Sequence, residues 1–148
     1  MKLIYIPILI IMASGCSVIQ EPENNKTVIP IERKHYGSWE KMIGYAQVVK
    51  VGNRLLISGI TGDGDTMEEQ VKSVYQTTAK ILKDYHTDSS RIVKELVFTK
   101  DIEAFKSTIA LRKTFFPQEL YPSSSWIQVD RMFVEPLMVE IEFEVELP

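Results

Sequence analysis

The sequence predicts an α+β domain, one mixed sheet with two helices on a single face. Three observations carry this. Tyr45 to Ser58 contains two β-rich runs around a Gly52-Asn53 pair. Two later segments, Met67–Tyr85 and Ile102–Phe116, repeat their apolar residues at three- and four-residue steps. At the end, Val139 to Leu147 alternates apolar and acidic residues without a fault. A period near 3.6 marks a helix and a period of two marks a half-buried strand. The resulting order is β-β-α-β-α-β-β.

Each element has a local reason. Gly and Asn tolerate positive φ, so Gly52-Asn53 suits a tight reversal between antiparallel strands, although Asn-Gly is the stronger signal. The second strand runs into Ser58-Gly59 and the Gly-rich ITGDGD, a place where a rigid sheet could hold a ligand loop. A hairpin with a flexible exit is the plainer alternative. Thr66 and Glu69 fit a capping box ahead of the first helix, which is expected to reach about His86. Ile92 to Thr99 is β-branched and aromatic and reads as a strand. Asp101 can cap the second helix, whose stripe takes in Ile102, Phe105, Ile109 and Phe116 with Arg112 at its edge; Pro117 closes it. A short strand is expected at Trp126–Val129. In the last strand, Val139, Ile141, Phe143, Val145 and Leu147 share one side, and Glu140, Glu142, Glu144 and Glu146 share the other.

The first 36 residues differ in kind. Lys2 precedes an apolar run of about eleven residues, LIYIPILIIMA, well short of the ~20 that span a bilayer. A positive start, a short apolar stretch and small residues describe a secretory signal peptide over residues 1–15. Cys16 is the single cysteine of the chain. Its place after Ala13-Ser14-Gly15 resembles a bacterial lipobox, in which the cysteine is lipidated and becomes the new N-terminus. An ordinary cleaved signal peptide or a buried first helix are the alternatives, and Pro7 suits the helix poorly. Two or more acyl chains give stable attachment, at ~0.8 kcal/mol per buried methylene. The expected location is the cell envelope of a bacterium, and Ser17 would permit outer-membrane sorting in a Gram-negative one. Residues 16–36 then form a tether, polar through SVIQEPENNKT, with an edge strand possible over Val28–Ile31 despite Pro30. Residues 37–148 form the folded domain.

The chain has 148 residues and a net charge of −3, which argues against nucleic acid as its main partner. There is no P-loop and no G-x-G-x-x-G. His35, His86 and Cys16 make no zinc set, Asp63 and Asp65 read as a polar turn, and neither metal nor cofactor is expected. The row of four glutamates is the unusual feature. It is a solvated face by default. At a seam with another subunit, a buried member could have a raised pKa and act as a general base.

GYAQVVKVGN-LLISG, IVKELVFTKDIEAF, the FFP after the second helix and MVEIEFEVEL resemble, in order, the Rid (YjgF/L-PSP) family of reactive intermediate deaminases. The resemblance runs from about Gly44 to Glu146. It implies a chorismate-mutase-like fold, a homotrimer, and ligand clefts between subunits. By motif match the family's cleft tyrosine falls on Tyr45 and its cleft glutamate on Glu140, which would be the catalytic pair. Tyr45, Ser58, Ser124 and Glu140 would line the ligand site. The family's deaminases hold the carboxylate of a 2-imino acid with an arginine in P-A-R-S. Here the segment is Pro122-Ser123-Ser124-Ser125, so Ser124 stands at the arginine position. A bidentate guanidinium supplies charge and orientation that a hydroxyl does not. Arg131, seven residues on, would stand about 23 Å away on the opposite face of an extended strand; a lysine of a neighbouring subunit, Lys50 or Lys94 stays open, and the sequence places none of them. The expectation is a lipid-anchored Rid-like protein binding a small, uncharged or cationic metabolite, without imino acid deaminase activity. A hydrolase using Glu140 and Tyr45 on an imine or enamine without a carboxylate, and a structural or interaction subunit, are the alternatives.

Overall fold

The computed structural model describes residues 28–148. The predicted signal peptide, Cys16 and most of the tether lie outside them. The elements are β1 (Ile31–Lys34), α1 (Ser38–Ile43), β2 (Val48–Val51), β3 (Arg54–Thr61), α2 (Met67–Asp84), β4 (Ile92–Thr99), α3 (Ile102–Ser107), α4 (Ile109–Phe115), β5 (Ser123–Gln128) and β6 (Val139–Glu146). The sheet order is β1-β2-β3-β6-β4-β5. All neighbours are antiparallel except β4 and β5. The fold is the mixed α+β sheet that the patterning predicts, and the edge strand expected over Val28–Ile31 lies at Ile31–Lys34, after Pro30.

That edge strand is β1. It pairs Ile31–Lys34 with Val51–Val48, so the sheet begins inside the stretch that composition marks as tether. The hairpin turn has Gly52 at φ 61° with no positive φ at Asn53, the sign pattern of a type II′ turn, where glycine is favoured first. Asn53 in second place is used in another way. Its amide nitrogen donates to Glu146 at 3.1 Å, and its carbonyl accepts from Leu147 N–H at 2.7 Å.

The core lies between the sheet and the helices. Val71, Val74, Tyr75 and Leu82 of α2 meet Val139, Ile141, Phe143 and Val145 of β6, all buried. Each such side chain stabilises the fold by roughly 1.5–3 kcal/mol relative to exposure. A one-residue slip of β6 would put glutamates in their place, so the register is tightly specified.

Three local features depart from the sequence expectation. Helix α1 has no counterpart in it. Glu40 at the third position of α1 accepts from the N–H of Gly37 at 2.8 Å, and Gly44 ends the helix at φ 97°. The single helix expected over 102–116 is two, bent at the buried Thr108 (φ −89°, ψ 5°), whose hydroxyl donates to the Phe105 carbonyl at 2.8 Å. The bend leaves Ile109 on the outside and turns Arg112 inward. Strand β5 covers Ser123–Gln128 rather than Trp126–Val129, because parallel pairing with β4 starts at Lys94–Ser123 and draws the serines into the sheet.

Candidate functional site

Strand β2 is shorter than β3, and this opens the site. Their pairing ends at Val48–Ile57, and beyond it Ser58 N–H still donates to the Gln47 carbonyl at 2.9 Å. On the other side, pairing with β6 jumps from Ile57–Phe143 to Ile60–Ile141, so Ser58 and Gly59 together oppose Glu142. Bulges of this kind re-aim side chains at sheet edges. Around this irregular stretch lies a cleft of about 760 Å³, bounded by α1, α2 and the loop 133–137.

Tyr45, Ser58 and Glu140 all line this cleft within one chain. Each is held by its surroundings. Trp39 Nε1 donates to the Tyr45 hydroxyl at 3.0 Å. The Ser58 hydroxyl donates to the Ala46 carbonyl at 2.9 Å, so toward a ligand it can only accept. Glu140 is half-buried and rests against the backbone of Gly59. Burial first, then repulsion from Glu142, raise its carboxyl above the ordinary range.

Ser124 is elsewhere. Its hydroxyl donates to Glu95 Oε2 at 2.8 Å and accepts from Trp126 Nε1 at 2.7 Å. Glu95 is fully buried. Arg112 reaches the same oxygen through Nε at 2.9 Å and Nη2 at 2.7 Å, and the Tyr75 hydroxyl donates to the other at 2.8 Å. Burial, then the Glu95 charge, raise the Tyr75 phenol far above its usual value, which keeps it a donor. The Arg112 guanidinium also lies 4.9 Å from the Phe116 ring centre and 5.7 Å from that of Trp126. Ser124, itself exposed, thus caps the buried Glu95–Arg112 ion pair.

The glutamate row divides. Glu144 pairs with Arg54 and with Lys94, the latter at 3.5 Å, and Glu146 pairs with Arg54 at 3.0 Å. Glu140 and Glu142 line the cleft and have no ion-pair partner among the described residues. Of the candidate replacement cations, Lys94 is engaged with Glu144, and Lys50 bonds Glu32 at 3.2 Å. The cation in the cleft lining is Lys80, from the exposed side of α2.

Two further residues position the site and have weak sequence signals. The buried Glu40 carboxylate accepts from the N–H groups of Tyr36 (2.8 Å), Gly37 (2.8 Å) and Gln47 (3.2 Å), with His35 Nδ1 at 3.1 Å. Burial opposes its ionisation, and these bonds outweigh that, holding its carboxyl below the usual value. This cluster ties α1 to the start of β2, on either side of Tyr45. Gln70, buried on α2, donates to the carbonyls of Gly64 (3.0 Å) and Pro136 (2.9 Å) and accepts from Met138 N–H (2.8 Å). It thereby fixes the loop 133–137. Among the described residues no group of three or more His, Cys, Asp or Glu is placed to hold a metal ion.

Known proteins share this fold. The family model described as endoribonuclease L-PSP matches residues 39–147. A putative regulator, AldR, of Lactococcus lactis is 35% identical over 82 residues, 55% of this chain and 62% of that protein. The chloroplastic Reactive Intermediate Deaminase A of Arabidopsis thaliana is 29% identical over 108 residues, 68% of this chain and 56% of that one. The chain thus spans less than two thirds of either relative. Among solved structures, a YjgF/YER057c/UK114 family member from Mycobacterium tuberculosis superposes with a TM-score of 0.74 at 22% identity, over 80% of this chain and all of that one. Yeast Mmf1 gives 0.69 at 18% identity, over 80% and 100%. At such identities the likeness shows the fold.

Proposed function

The chain belongs to the endoribonuclease L-PSP family, also known as YjgF or Rid, and on that premise we propose that it binds a small metabolite in the cleft at the Ser58–Gly59 bulge without deaminating 2-imino acids. The observation that carries this is the residue matched to the family arginine, a serine whose hydroxyl is already given to Glu95 Oε2 at 2.8 Å. Tyr45, Ser58 and Glu140 converge on one cleft, while the hydroxyl of Ser124 is committed to Glu95. A carboxylate ligand would lack the guanidinium fork that a deaminase of this family offers it, and charged hydrogen bonds are worth ~1.5–3 kcal/mol each.

The protein is further proposed to work as a homotrimer, tethered to the bacterial envelope through a lipid on Cys16. The open sheet face supports assembly: Leu56 and Ile127 stand 41% and 44% exposed there, beside a hollow of about 330 Å³. A second copy on that face would bring new groups toward the cleft. Palmitate labelling that disappears in Cys16→Ser tests the anchor.

One observation favours a second reading, hydrolysis of an imine or enamine that lacks a carboxylate. Glu140 is a half-buried carboxyl with a raised pKa, suited to passing a proton, and Tyr45 is a held phenol across the same cleft. A thermal-shift screen of metabolites tests the shared premise. Stabilisation of the native protein that is lost in Glu140→Gln supports binding at this site. Ligands that stabilise both proteins equally bind elsewhere and contradict it.

A further inference from the structure

The cleft's polar groups and its walls select one ligand chemistry, and this inference rests on the binding function proposed above. At the bulge the charged lining is acidic. Glu140 and Glu142 project from the same face of β6 two residues apart, and neither has an ion-pair partner among the described residues. The Ser58 hydroxyl has already given its proton to Ala46, and one N–H of the Gln47 side-chain amide goes to the Ser58 carbonyl at 2.8 Å. The Tyr45 hydroxyl accepts from Trp39 and keeps one proton to give. The walls are apolar: Ile43 on α1, and Phe133, Val134 and Leu137 on the opposing loop. Phe133 and Ile43 stand 76% and 55% exposed, large apolar groups facing open space. The volume, about 760 Å³, falls in the range of sites for drug-sized molecules.

We infer that the cleft takes a protonated amine carried on an apolar, ring-sized body, with the ammonium between Glu140 and Glu142 and the body against Ile43 and Phe133. An ammonium offers three donors and no acceptor, the complement of the two carboxylates. Its charge offsets the repulsion between the two carboxylates, which costs most where Glu140 is half-buried. An anionic group would meet one cation in the lining, Lys80 on its exposed stem, and would face two carboxylates. The two acidic groups against one basic group leave the lining with an excess of negative charge, so the sign of the preferred ligand follows from the lining itself.

The experiment compares three probes of one shape on the purified protein: phenethylamine, hydrocinnamate and phenethyl alcohol. Binding is read as thermal stabilisation and titration heat at millimolar concentration. The amine is expected to bind, the carboxylate not to, and Glu142→Gln to weaken the amine by about tenfold, the loss of one charged hydrogen bond. Glu142 is exposed, so that variant should fold normally. If hydrocinnamate binds and the amine does not, the charge assignment is overturned while the cleft remains a binding site. The charge assignment also falls if the amine binds equally well to Glu142→Gln but not to Phe133→Ser. If none of the three probes binds, the amine assignment falls, and the metabolite screen decides separately whether the cleft binds a small molecule at all.

Discussion

Gly59 and Glu140 are packed so closely that a Cβ on residue 59 would stand 1.8 Å from Oε1 of Glu140. The carboxylate therefore owes its place in the cleft to the missing side chain. The atoms in conflict are the far end of a flexible side chain, and Gly59 has no positive φ. Gly59→Ala should therefore fold, at a cost within about 1 kcal/mol, while moving Glu140 away from the bulge. Urea denaturation measures the first part, and loss of ligand-induced stabilisation measures the second. Retained binding in Gly59→Ala would separate Glu140 from the ligand.

Glu140 itself should cost stability. Its folded pKa is raised, so the folded protein holds that proton more tightly than the unfolded chain does. Its contribution is complete below the unfolded carboxyl value and is lost as pH rises through the folded one. Glu140→Gln is therefore expected to be more stable than the native protein at neutral pH, with the advantage fading in acid. Melting temperatures of the two proteins across that range check the sign. An advantage for the native protein at neutral pH would show that Glu140 has a stabilising partner.

Glu40 has the opposite sign. Its folded pKa is depressed below the ordinary 4.5, so its stabilisation is present above that value and is lost as pH falls through the folded one. Acid unfolding of the native protein should show this loss, and Glu40→Gln should flatten the profile over the same interval. Because Glu40 ties α1 to β2, near-ultraviolet circular dichroism from Trp39 should change with it.

The buried pair of Glu95 and Arg112 should be asymmetric to mutation. Arg112→Met leaves an unpaired carboxylate in the core and is expected to cost about 3–5 kcal/mol. Combining it with Glu95→Gln removes the stranded charge and should recover part of that loss. Denaturant midpoints for the two single variants and the double variant form the cycle. Additive losses would mean that the pair does not interact as its 2.7 Å separation implies.

Much of the fold is legible in the sequence because burial writes itself into periodicity. Val139 to Val145 face the core at every second residue, and α2 has a capping box that the structure contains in both directions. The helix break at Thr108 and the six-residue α1 escape such reading because neither is long enough to alter a period. Tyr45, Ser58 and Glu140 come together only through the family resemblance, since nothing local links positions so far apart. Glu95 is hidden for a different reason. A glutamate inside IVKELVFT reads as a solvent-facing residue, and its partner Arg112 lies on a helix whose turn no local signal announces. Lys80 gives no signal because it sits on the exposed side of an amphipathic helix, where a lysine is ordinary.

The proposed loss of imino acid chemistry turns on the missing guanidinium, and ammonia release from a freshly generated 2-imino acid reads it out. The native protein is expected to leave the spontaneous rate unchanged, even at protein concentrations near that of the substrate. Rapid hydrolysis by the native protein, abolished in Glu140→Gln, would contradict the proposal.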